Sequence, residues 1–416
     1  MVALNPRHWR GWSGTAPRVA RPRAVVATPS GVATPSGVAT SPAIATPFVT
    51  RLTNLRASLA ASDLDALLVS SLPNVRYLTG FSGSNALVVV TLDTCHLLTD
   101  FRYATQVKHE VDPSVDVIIE KQSLWMRLWS ELAALRHVAV IAFESAHVSH
   151  QDAARFASGN NGERAGEGNG SAWKWRPALN LVEILRESKD ATEIAATTEA
   201  VRIAEHALGQ TLPQVRAGLS ELSVAGILEH ELRKAGSSGF PFETIVASGA
   251  RSALPHARAS AQIIANGDLL LFDFGAIHAG YCSDITRTFV VGPPPTARQA
   301  EIHGVVREAN GTASGGVRAG MRGRDADALA RHYIQRLGFG DAFGHSLGHG
   351  IGLEIHESPR LAQTVEAPLP SGAIVTIEPG IYLEGWGGVR IEDDVVLTAD
   401  GARVLTSFDR TLLQLG

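Results

Sequence analysis

The chain has 416 residues, a formal net charge of −4 and a hydrophobic fraction of 45%. This length allows two domains, and the charge gives no reason to expect nucleic acid or a membrane surface as a partner. No stretch approaches the roughly 20 apolar residues of a transmembrane helix. The two cysteines, Cys95 and Cys282, form no disulfide framework and no metal-binding pattern. We therefore expect a reducing compartment and predict a cytoplasmic location.

Residues 1–47 differ in composition from the rest of the chain. They contain several arginines but no Asp or Glu, and the sequence of residues 27–32 is repeated at residues 33–38. Such a segment cannot bury enough apolar surface to fold, so we expect a disordered low-complexity extension. An alternative is an organelle transit peptide, which has the same Arg-rich, acid-free composition. The scarcity of lysine beside common arginine indicates a GC-rich genome, in which upstream DNA is often translatable, and favours the first interpretation.

Folded structure is predicted from Phe48 onwards. Leu52, Leu55 and Leu59 are spaced to share one face of a helix. Short apolar runs typical of buried strands follow at residues 66–70, 86–91, 95–99, 115–119 and 138–142, with helical stretches between several of them. The pattern predicts an α/β domain over residues 48–180, in which the Gly- and Asn-rich residues 158–171 form a surface loop.

A second domain, of the α+β class, is predicted for residues 181–416. It begins with a helix whose first residues, Asp190 to Glu193, have the spacing of a capping box. Another helix is predicted at residues 224–234. Beyond Gly239 short strands alternate with Gly-rich turns, and one more helix is predicted around residues 325–337.

Five potential metal ligands lie in this second domain: Asp273, Asp284, His349, Glu378 and Glu392. Any one of them alone would more often be a turn cap or a solvated side chain. Together, within apolar stretches, they are costly to bury unless they are paired or bound to metal. Four carboxylates and one imidazole can hold two divalent cations if some carboxylates bridge, and such a pair activates water and polarises a carbonyl. The pattern therefore predicts a hydrolase.

Local geometry supports this grouping. Asp273 and Asp284 flank a predicted hairpin whose two-residue turn at His278 and Ala279 would set them directly opposite each other. Arg390 and Glu392 are two residues apart and are predicted to share one face of the last strand. A site dominated by carboxylates favours Mn²⁺ or a similar hard ion. The zincin helix pattern is missing, since no Glu follows His345.

The second domain resembles the pita-bread metallopeptidases of family M24, which include methionine aminopeptidase, Xaa-Pro aminopeptidase, Xaa-Pro dipeptidase (prolidase) and creatinase. The resemblance lies in residues 245–249, residues 253–256 and the five ligand positions in their family order. Residues 74–83 resemble the creatinase/aminopeptidase P amino-terminal domain. The implied fold is an α/β creatinase-like domain followed by an α+β pita-bread catalytic domain.

The resemblance also implies roles. The five ligands would hold two divalent ions, Mn²⁺ first and Co²⁺ or Zn²⁺ as alternatives, and Glu378 would accept the proton of the attacking water. His256 and His356 would hydrogen-bond the substrate and its developing oxyanion, and His345 would line a proline-side pocket. Arg390 would orient neighbouring groups or a substrate carboxylate, with Tyr382 packed nearby. The implied substrates are short proline-containing peptides, and the implied assembly is a homodimer.

Two activities remain open within the family. The intact ligand set argues against creatinase, which needs no metal, and the first domain argues against methionine aminopeptidase. Of the two proline-specific activities, we favour Xaa-Pro aminopeptidase over Xaa-Pro dipeptidase. Residues 249–252 depart from many aminopeptidase P sequences, which have an Asn before the small residues, and Arg251 is expected to alter the pocket entrance. The complete ligand set disfavours a non-catalytic binding module, whereas hydrolysis of a non-peptide amide stays open.

Overall fold

The computed structural model describes residues 46–159 and 173–416. The described residues divide into two compact units, the first formed by those up to Ser71 together with those between Gly83 and Leu181, and the second by Leu72–Ser82 together with Val182–Gly416. Within the described ranges, no helix is long and apolar enough to cross a membrane.

The first unit contains a six-stranded mixed sheet. Its strands are β1 (Ala66–Val69), β2 (Ala86–Thr91), β3 (Cys95–Asp100), β4 (Asp116–Glu120), β5 (Val140–Glu144) and β6 (Lys174–Ala178), in the spatial order β4-β3-β2-β1-β5-β6. The helices of this unit are α1 (Pro47–Ala61), α3 (Val107–Glu110), α4 (Leu124–Ala134) and α5 (His150–Gly159), whereas α2 (Leu72–Thr79) belongs to the second unit.

The five apolar runs of the first domain are confirmed as β1 to β5. Leu52, Leu55 and Leu59 are buried on α1, which begins at Pro47 after the capping side chain of Thr46. The edge strand β6 was not predicted, because its Lys, Arg and Pro residues hide the strand pattern.

Two sequence predictions lie largely outside the described residues. The first is the extension over residues 1–47, of which the structure describes only Thr46 and Pro47. The second is the loop over residues 158–171. Helix α5 continues to Gly159, so the first two residues of that predicted loop are helical.

Five helices follow in the second unit: α6 (Glu183–Glu187), α7 (Ala191–Thr211), α8 (Glu221–Ala235), α9 (Ala297–Gly316) and α10 (Gly323–Arg336). The predicted capping box of Asp190 and Glu193 is present at the start of α7. Helix α9 was not predicted, because several glycines interrupt its pattern. A capping box of Thr296 and Gln299 marks its start and could have indicated it.

Two sheets and two short hairpins complete the second unit. One sheet has the order β19-β11-β8-β7, formed by β7 (Ile245–Ser248), β8 (Leu269–Phe274), β11 (Ile285–Val291) and β19 (Gln414–Leu415). The other has the order β13-β12-β14-β17-β18, formed by β12 (Gly348–Gly350), β13 (Glu357–Leu361), β14 (Ile374–Ile377), β17 (Asp393–Leu397) and β18 (Ala402–Val404). The hairpins are β9 (Ile277–His278) with β10 (Tyr281–Cys282) and β15 (Gly380–Leu383) with β16 (Gly387–Arg390).

Each sheet of this unit is covered by a pair of helices. Side chains of α7 and α8 share a buried cluster with β8 and β11, and those of α9 and α10 share another with β14 and β17. The apolar faces of the helices are thereby removed from water, which is the main source of their stability.

The predicted register of the first hairpin is wrong by two residues. Asp273 pairs with Thr286, and the short β9–β10 pair joins His278 to Tyr281, so the turn lies at Ala279 and Gly280. Both turn residues have positive φ, which glycine adopts readily. A register shift of two residues leaves each side chain on the same face of the sheet. Asp284 therefore stays on the face of Asp273, but it lies diagonal to Asp273 and not directly opposite.

The prediction that Arg390 and Glu392 share a strand is also wrong. Strand β16 ends at Arg390 and β17 begins at Asp393, so Glu392 lies in the connection between them. Its backbone N–H donates a hydrogen bond to the carbonyl oxygen of Thr286, which lies on β11 and outside that hairpin. The predicted end of a strand before Pro379 is confirmed, since β14 ends at Ile377.

Helix α8 offers a test of this packing. Leu228 is fully buried between α8 and its sheet, whereas Leu222 on the same helix is 56% exposed. Leu228→Ala should lower the free energy of unfolding by about 2–5 kcal/mol, because it leaves a cavity. Leu222→Ala should change it by less than about 0.5 kcal/mol. Differential scanning calorimetry of both variants measures the difference, and equal losses of stability would contradict this description of the core.

Candidate metal centre

The five predicted ligands are delivered by different elements of the second unit. They are Asp273 on β8, Asp284 directly before β11, His349 on β12, Glu378 directly after β14 and Glu392 between β16 and β17. Glycines on both sides of His349 are required, because a Cβ on Gly348 or Gly350 would collide with the backbone of a neighbouring strand. The local sequence thus lets the strands approach closely where the imidazole enters the site.

The structure brings these side chains to one place. His349 Nε2 lies 3.7 Å from Asp284 Oδ2 and 3.5 Å from Glu378 Oε1. One ligand atom each from Asp284, His349 and Glu392 lie within 4.8 Å of one another. Asp273 reaches the same cavity and accepts a hydrogen bond from the Arg390 guanidinium. All five residues line this single cavity, as the sequence prediction requires.

The carboxylates of the site repel one another. Burial and the charges of Glu392 and Asp273 raise the pKa of Asp284 well above its ordinary value. Burial and neighbouring carboxylates, Glu378 first, likewise raise the pKa of Glu392 well above normal. Burial also raises the pKa of Glu378 to about 8, although Arg390 opposes the change. One arginine cannot neutralise four carboxylates.

Two buried carboxylate oxygens without a hydrogen-bond partner indicate that the site needs a cation. Asp273 Oδ1 and Asp284 Oδ1 are buried and have no hydrogen-bond partner in the described part of the chain. A buried carboxylate oxygen without a donor is costly unless a cation accepts its lone pair. The donor set and these orphan oxygens therefore fit two divalent ions.

The imidazole of His349 is prepared to act as a ligand. Its Nδ1 lies 3.0 Å from the Gly350 carbonyl oxygen, to which it donates its proton. The lone pair of Nε2 is then directed at the carboxylates of Asp284 and Glu378. Burial lowers the pKa of His349 to about 4, so the ring stays neutral at physiological pH.

Two threonines, which were not predicted, hold the acidic ligands in position. Thr286 donates a 2.6 Å hydrogen bond to Glu392 Oε2, and Thr376 donates a 3.1 Å hydrogen bond to Glu378 Oε1. Each lies two residues from a ligand along the chain, Thr286 after Asp284 and Thr376 before Glu378. A buried threonine two residues from an acidic residue in a strand was a signal that could have been used.

Arg390 connects the metal ligands to His345. Besides Asp273, its guanidinium donates to Tyr382 Oη at 2.8 Å, and this oxygen lies 2.9 Å from His345 Nε2. The Tyr382 hydroxyl therefore donates to Nε2, while Nδ1–H of His345 donates to the Ser346 carbonyl at 2.8 Å. Burial lowers the pKa of His345 to about 4 and raises the pKa of Tyr382 to about 12, so both groups are neutral.

The two remaining predicted histidines lie at the open side of this cavity, whose volume is about 490 Å³. The ring of His356 contacts that of His349 edge to face, with centroids 4.4 Å apart. His256 is exposed on the connection between β7 and β8. The size of the cavity suits a small peptide.

Arg360 also lines the cavity and was not predicted. It pairs with His349 across strands β12 and β13, so the two side chains share a face. Burial and the Arg360 guanidinium lower the pKa of His356. The guanidinium of Arg360 makes no hydrogen bond or ion pair with any residue of the described ranges, in contrast to that of Arg258, which pairs with Glu243 at 3.1 Å. An arginine on a strand gives no sequence signal for this role.

Other buried groups beside the site are structural. Glu357, next to His356, accepts hydrogen bonds from Arg186 and, at 3.4 Å, from Lys189. Burial alone would raise the pKa of Glu357, but Lys189 and Arg186 hold it below its ordinary value. Burial raises the pKa of Cys282 to about 12, so this thiol is not a nucleophile.

Comparisons with known proteins agree with this geometry. The sequence model of the metallopeptidase family M24 matches residues 195–399, and that of the creatinase/prolidase N-terminal domain matches residues 51–188. A Bacillus subtilis protein named "uncharacterized peptidase YqhT" is 40% identical over 365 residues, which are 88% of this chain and 100% of the relative.

Solved structures show the same fold. An Xaa-Pro dipeptidase from Bacillus anthracis has a TM-score of 0.83 at 37% identity, over 88% of this chain and 100% of that chain. An X-Pro aminopeptidase from Thermotoga maritima has a TM-score of 0.79 at 37% identity, over 88% and 99%. The two names differ although the identities are equal, so similarity alone does not choose between the two activities.

The raised carboxyl pKa values predict how the metal-stripped protein responds to pH. A group whose pKa is raised on folding stabilises the folded state below its unfolded pKa and loses that contribution as pH rises through the folded pKa. For Glu378 this interval runs from its ordinary value of 4.5 to about 8, and each such group costs about 1.4 kcal/mol per pH unit. Between pH 6.5 and 8 the unfolding temperature should therefore fall by roughly 3–6 °C per pH unit.

Calorimetry with and without Mn²⁺ measures this effect. Added Mn²⁺ should raise the unfolding temperature more at pH 8.5 than at pH 6.5, because the cations replace protons that the carboxyls no longer hold. Glu392→Gln should reduce the pH dependence of the stripped protein, whereas the control Glu366→Gln, at an exposed side chain, should not. A midpoint that is independent of pH over this range would contradict the assignment.

Proposed function

The chain belongs to metallopeptidase family M24, and we propose that within this family it acts as an Xaa-Pro dipeptidase. The coarser activity, a metallopeptidase of the Xaa-Pro dipeptidase and aminopeptidase group, follows from the relatives. The finer assignment differs from the preference drawn from sequence alone, which was for the aminopeptidase.

Arg360 is the observation that carries this proposal. Its guanidinium has no acidic partner in the described residues, and it lies beside the neutral imidazole of His349 and beside His356, whose pKa burial lowers. A planar cation in this position matches a carboxylate in charge and geometry. In an Xaa-Pro dipeptide the free carboxylate belongs to the residue next to the scissile bond, so it is within the same small cavity as the reacting carbonyl.

Xaa-Pro aminopeptidase remains the second candidate. It is supported by the structural similarity to the Thermotoga maritima enzyme of that name. In that case the peptide would continue beyond proline, and the cavity would have to accept a neutral amide near Arg360 without a charge partner.

The proposed roles of the site residues follow from their geometry. Asp273, Asp284, His349, Glu378 and Glu392 would hold the two ions, which when bound supply an activated water and polarise the scissile carbonyl. Glu378 would accept the proton of that water. Its Oε1 lies 3.5 Å from Nε2 of the proposed ligand His349, so its carboxylate is beside the place where the ions would hold that water.

The cavity residues would bind and orient the peptide. His256 and His356, at the open side, would donate hydrogen bonds to the substrate and to the oxygen that gains charge at the reacting carbon. Burial keeps His345 neutral and Tyr382 orients it by a hydrogen bond, so it would form an uncharged wall for the proline ring. Arg390 donates hydrogen bonds to Asp273 and Tyr382. It would thereby hold Asp273 and, through Tyr382, His345 in position.

The oxygen-rich donor set supports Mn²⁺ as the metal, with Co²⁺ or Zn²⁺ as alternatives.

We also keep two assignments from the sequence as proposals. They are the domain limits at residues 48–180 and 181–416 and the assembly into a homodimer. Metal analysis of the purified protein and sedimentation equilibrium test the metal and the dimer.

A set of three substrates tests the choice of activity. Metal-stripped protein restored with Mn²⁺ should hydrolyse Ala-Pro efficiently, Ala-Pro-amide poorly and Ala-Pro-Ala poorly, because only the dipeptide presents its carboxylate beside proline. Arg360→Gln should lower kcat/KM for Ala-Pro by roughly 10- to 100-fold, the value of a charged hydrogen bond, and should leave the amide nearly unchanged. Arg258→Gln, which removes a paired arginine from the same cavity, is the matched control.

The opposite result identifies the alternative. If Ala-Pro-Ala is cleaved best and Arg360→Gln has no effect on any substrate, the chain is an aminopeptidase. If no substrate is cleaved although two ions bind, the proline-specific proposal fails as a whole.

Glu378→Gln tests the proton acceptor. The amide keeps the size of the side chain and one oxygen for a metal ion, so part of the metal should remain bound. Turnover should fall by at least about 100-fold, because the amide cannot accept a proton at neutral pH. Metal content by mass spectrometry and kcat are measured together, and near-normal kcat would exclude Glu378 from this role.

A further inference from the structure

One of the buried acids that lie outside the metal centre is on helix α8. Glu221 is the first residue of α8, and its side chain is fully buried. It belongs to neither the cavity lining nor the predicted ligand set. Its carboxylate contacts the connection between β7 and β8, residues 249–268, which contains His256.

The carboxylate of Glu221 accepts hydrogen bonds from a residue directly before this connection and from another within it. One carboxylate oxygen accepts the backbone N–H of Ser248 at 2.8 Å and its hydroxyl at 3.1 Å. The other accepts the backbone N–H of Ser260 at 3.1 Å and its hydroxyl at 2.7 Å. A single carboxylate therefore joins two points that are twelve residues apart, and His256 lies between them. We name residues 249–260 the His256 loop.

Arg251 completes this arrangement from inside the loop. Its Nε lies 3.1 and 3.0 Å from the two oxygens of Glu221. Its Nη2 donates a 2.6 Å hydrogen bond to the carbonyl of Arg258, on the far side of His256. The sequence suggested that Arg251 alters the pocket entrance, but its side chain does not line the cavity. It is directed towards Glu221 instead.

The loop is also tied to the metal centre at one point. The carbonyl of Pro255, adjacent to His256, accepts a 3.2 Å hydrogen bond from Arg390. The hydroxyl of Ser252 accepts the N–H of Gly388 at 2.8 Å. His256 itself is exposed and has no hydrogen bond in the described residues that would hold its ring. Its position therefore depends on the backbone of the loop.

We infer that Glu221 and Arg251 are positioning residues, which hold the His256 loop so that the imidazole of His256 meets the substrate. Neither touches the substrate in this arrangement, and both act through His256. The inference rests on the proposed function, since it assigns His256 to substrate binding. It predicts an effect on catalysis from a side chain that lies outside the cavity.

A double-mutant cycle tests this connection. Arg251→Ala should lower kcat/KM for Ala-Pro about 10- to 100-fold, since a displaced contact group loses this much, while metal content stays unchanged. In a His256→Ala background the same change should lower kcat/KM by less than about twofold, because the group that Arg251 positions is gone. Equal effects in both backgrounds would show a role unrelated to His256 and would overturn the inference.

Two further variants keep the result interpretable. Arg251→Gln can still donate to Glu221 but cannot reach the Arg258 carbonyl, so it serves if Arg251→Ala does not fold, with the same expected outcome. Arg127→Ala is the control. It removes an arginine of similar exposure from its pair with Glu131 on α4 in the other unit, and kcat/KM should not change.

Hydrogen–deuterium exchange separates failure of the inference from failure of the proposed function. In Arg251→Ala, peptides that cover residues 250–262 should exchange faster, and peptides from β14 and β17 should not. If this local change occurs but wild-type protein cleaves no Xaa-Pro peptide, the function is wrong and the loop anchor is right. If exchange in the loop is unchanged, the inference is overturned whatever the activity.

Discussion

Repulsion among buried carboxylates is the constraint on which the rest of the second unit depends. Asp284, Glu378 and Glu392 are buried beside one another and beside Asp273. In the described structure a single guanidinium, that of Arg390, donates a hydrogen bond to these carboxylates, and it does so to Asp273. The folded chain can tolerate this only by holding protons or by binding cations. Stability and metal affinity are therefore opposite consequences of the same arrangement, since the carboxylates that destabilise the metal-stripped protein supply the attraction for divalent cations.

The surroundings of the carboxylates are arranged to keep neighbouring groups neutral and oriented. Hydrogen bonds to backbone carbonyls fix the tautomers of His345 and His349, and burial keeps both rings uncharged. Thr286 and Thr376 direct the oxygens of Glu392 and Glu378. The exposed cation of Arg360 lines the same cavity, and in the proposed function it would attract the carboxylate of a dipeptide.

Much of the site and of the fold could be predicted because the relevant signals are local. Five apolar runs identified five strands of the first unit, and four carboxylates with one histidine in apolar surroundings predicted the candidate metal site, whose residues the structure brings to one cavity. The errors arose where pairing between distant segments decides the outcome. The hairpin register depended on where two residues adopt positive φ, Glu392 left its strand to bond with Thr286, and α9 was hidden by glycines that tertiary packing tolerates.

The sequence by itself determined the chemistry of this protein, because residue type sets which atoms can bind metal, carry a proton or donate a hydrogen bond. It also determined the class of fold, because the periodicity of apolar residues reflects which faces must be buried. Only the tertiary structure decided which of the charged groups meet. Arg251 is directed towards Glu221 rather than the cavity, and Arg360 faces the cavity without an acidic partner in the described ranges. No local pattern distinguishes these two arginines, since their partners are set by contacts between residues far apart along the chain.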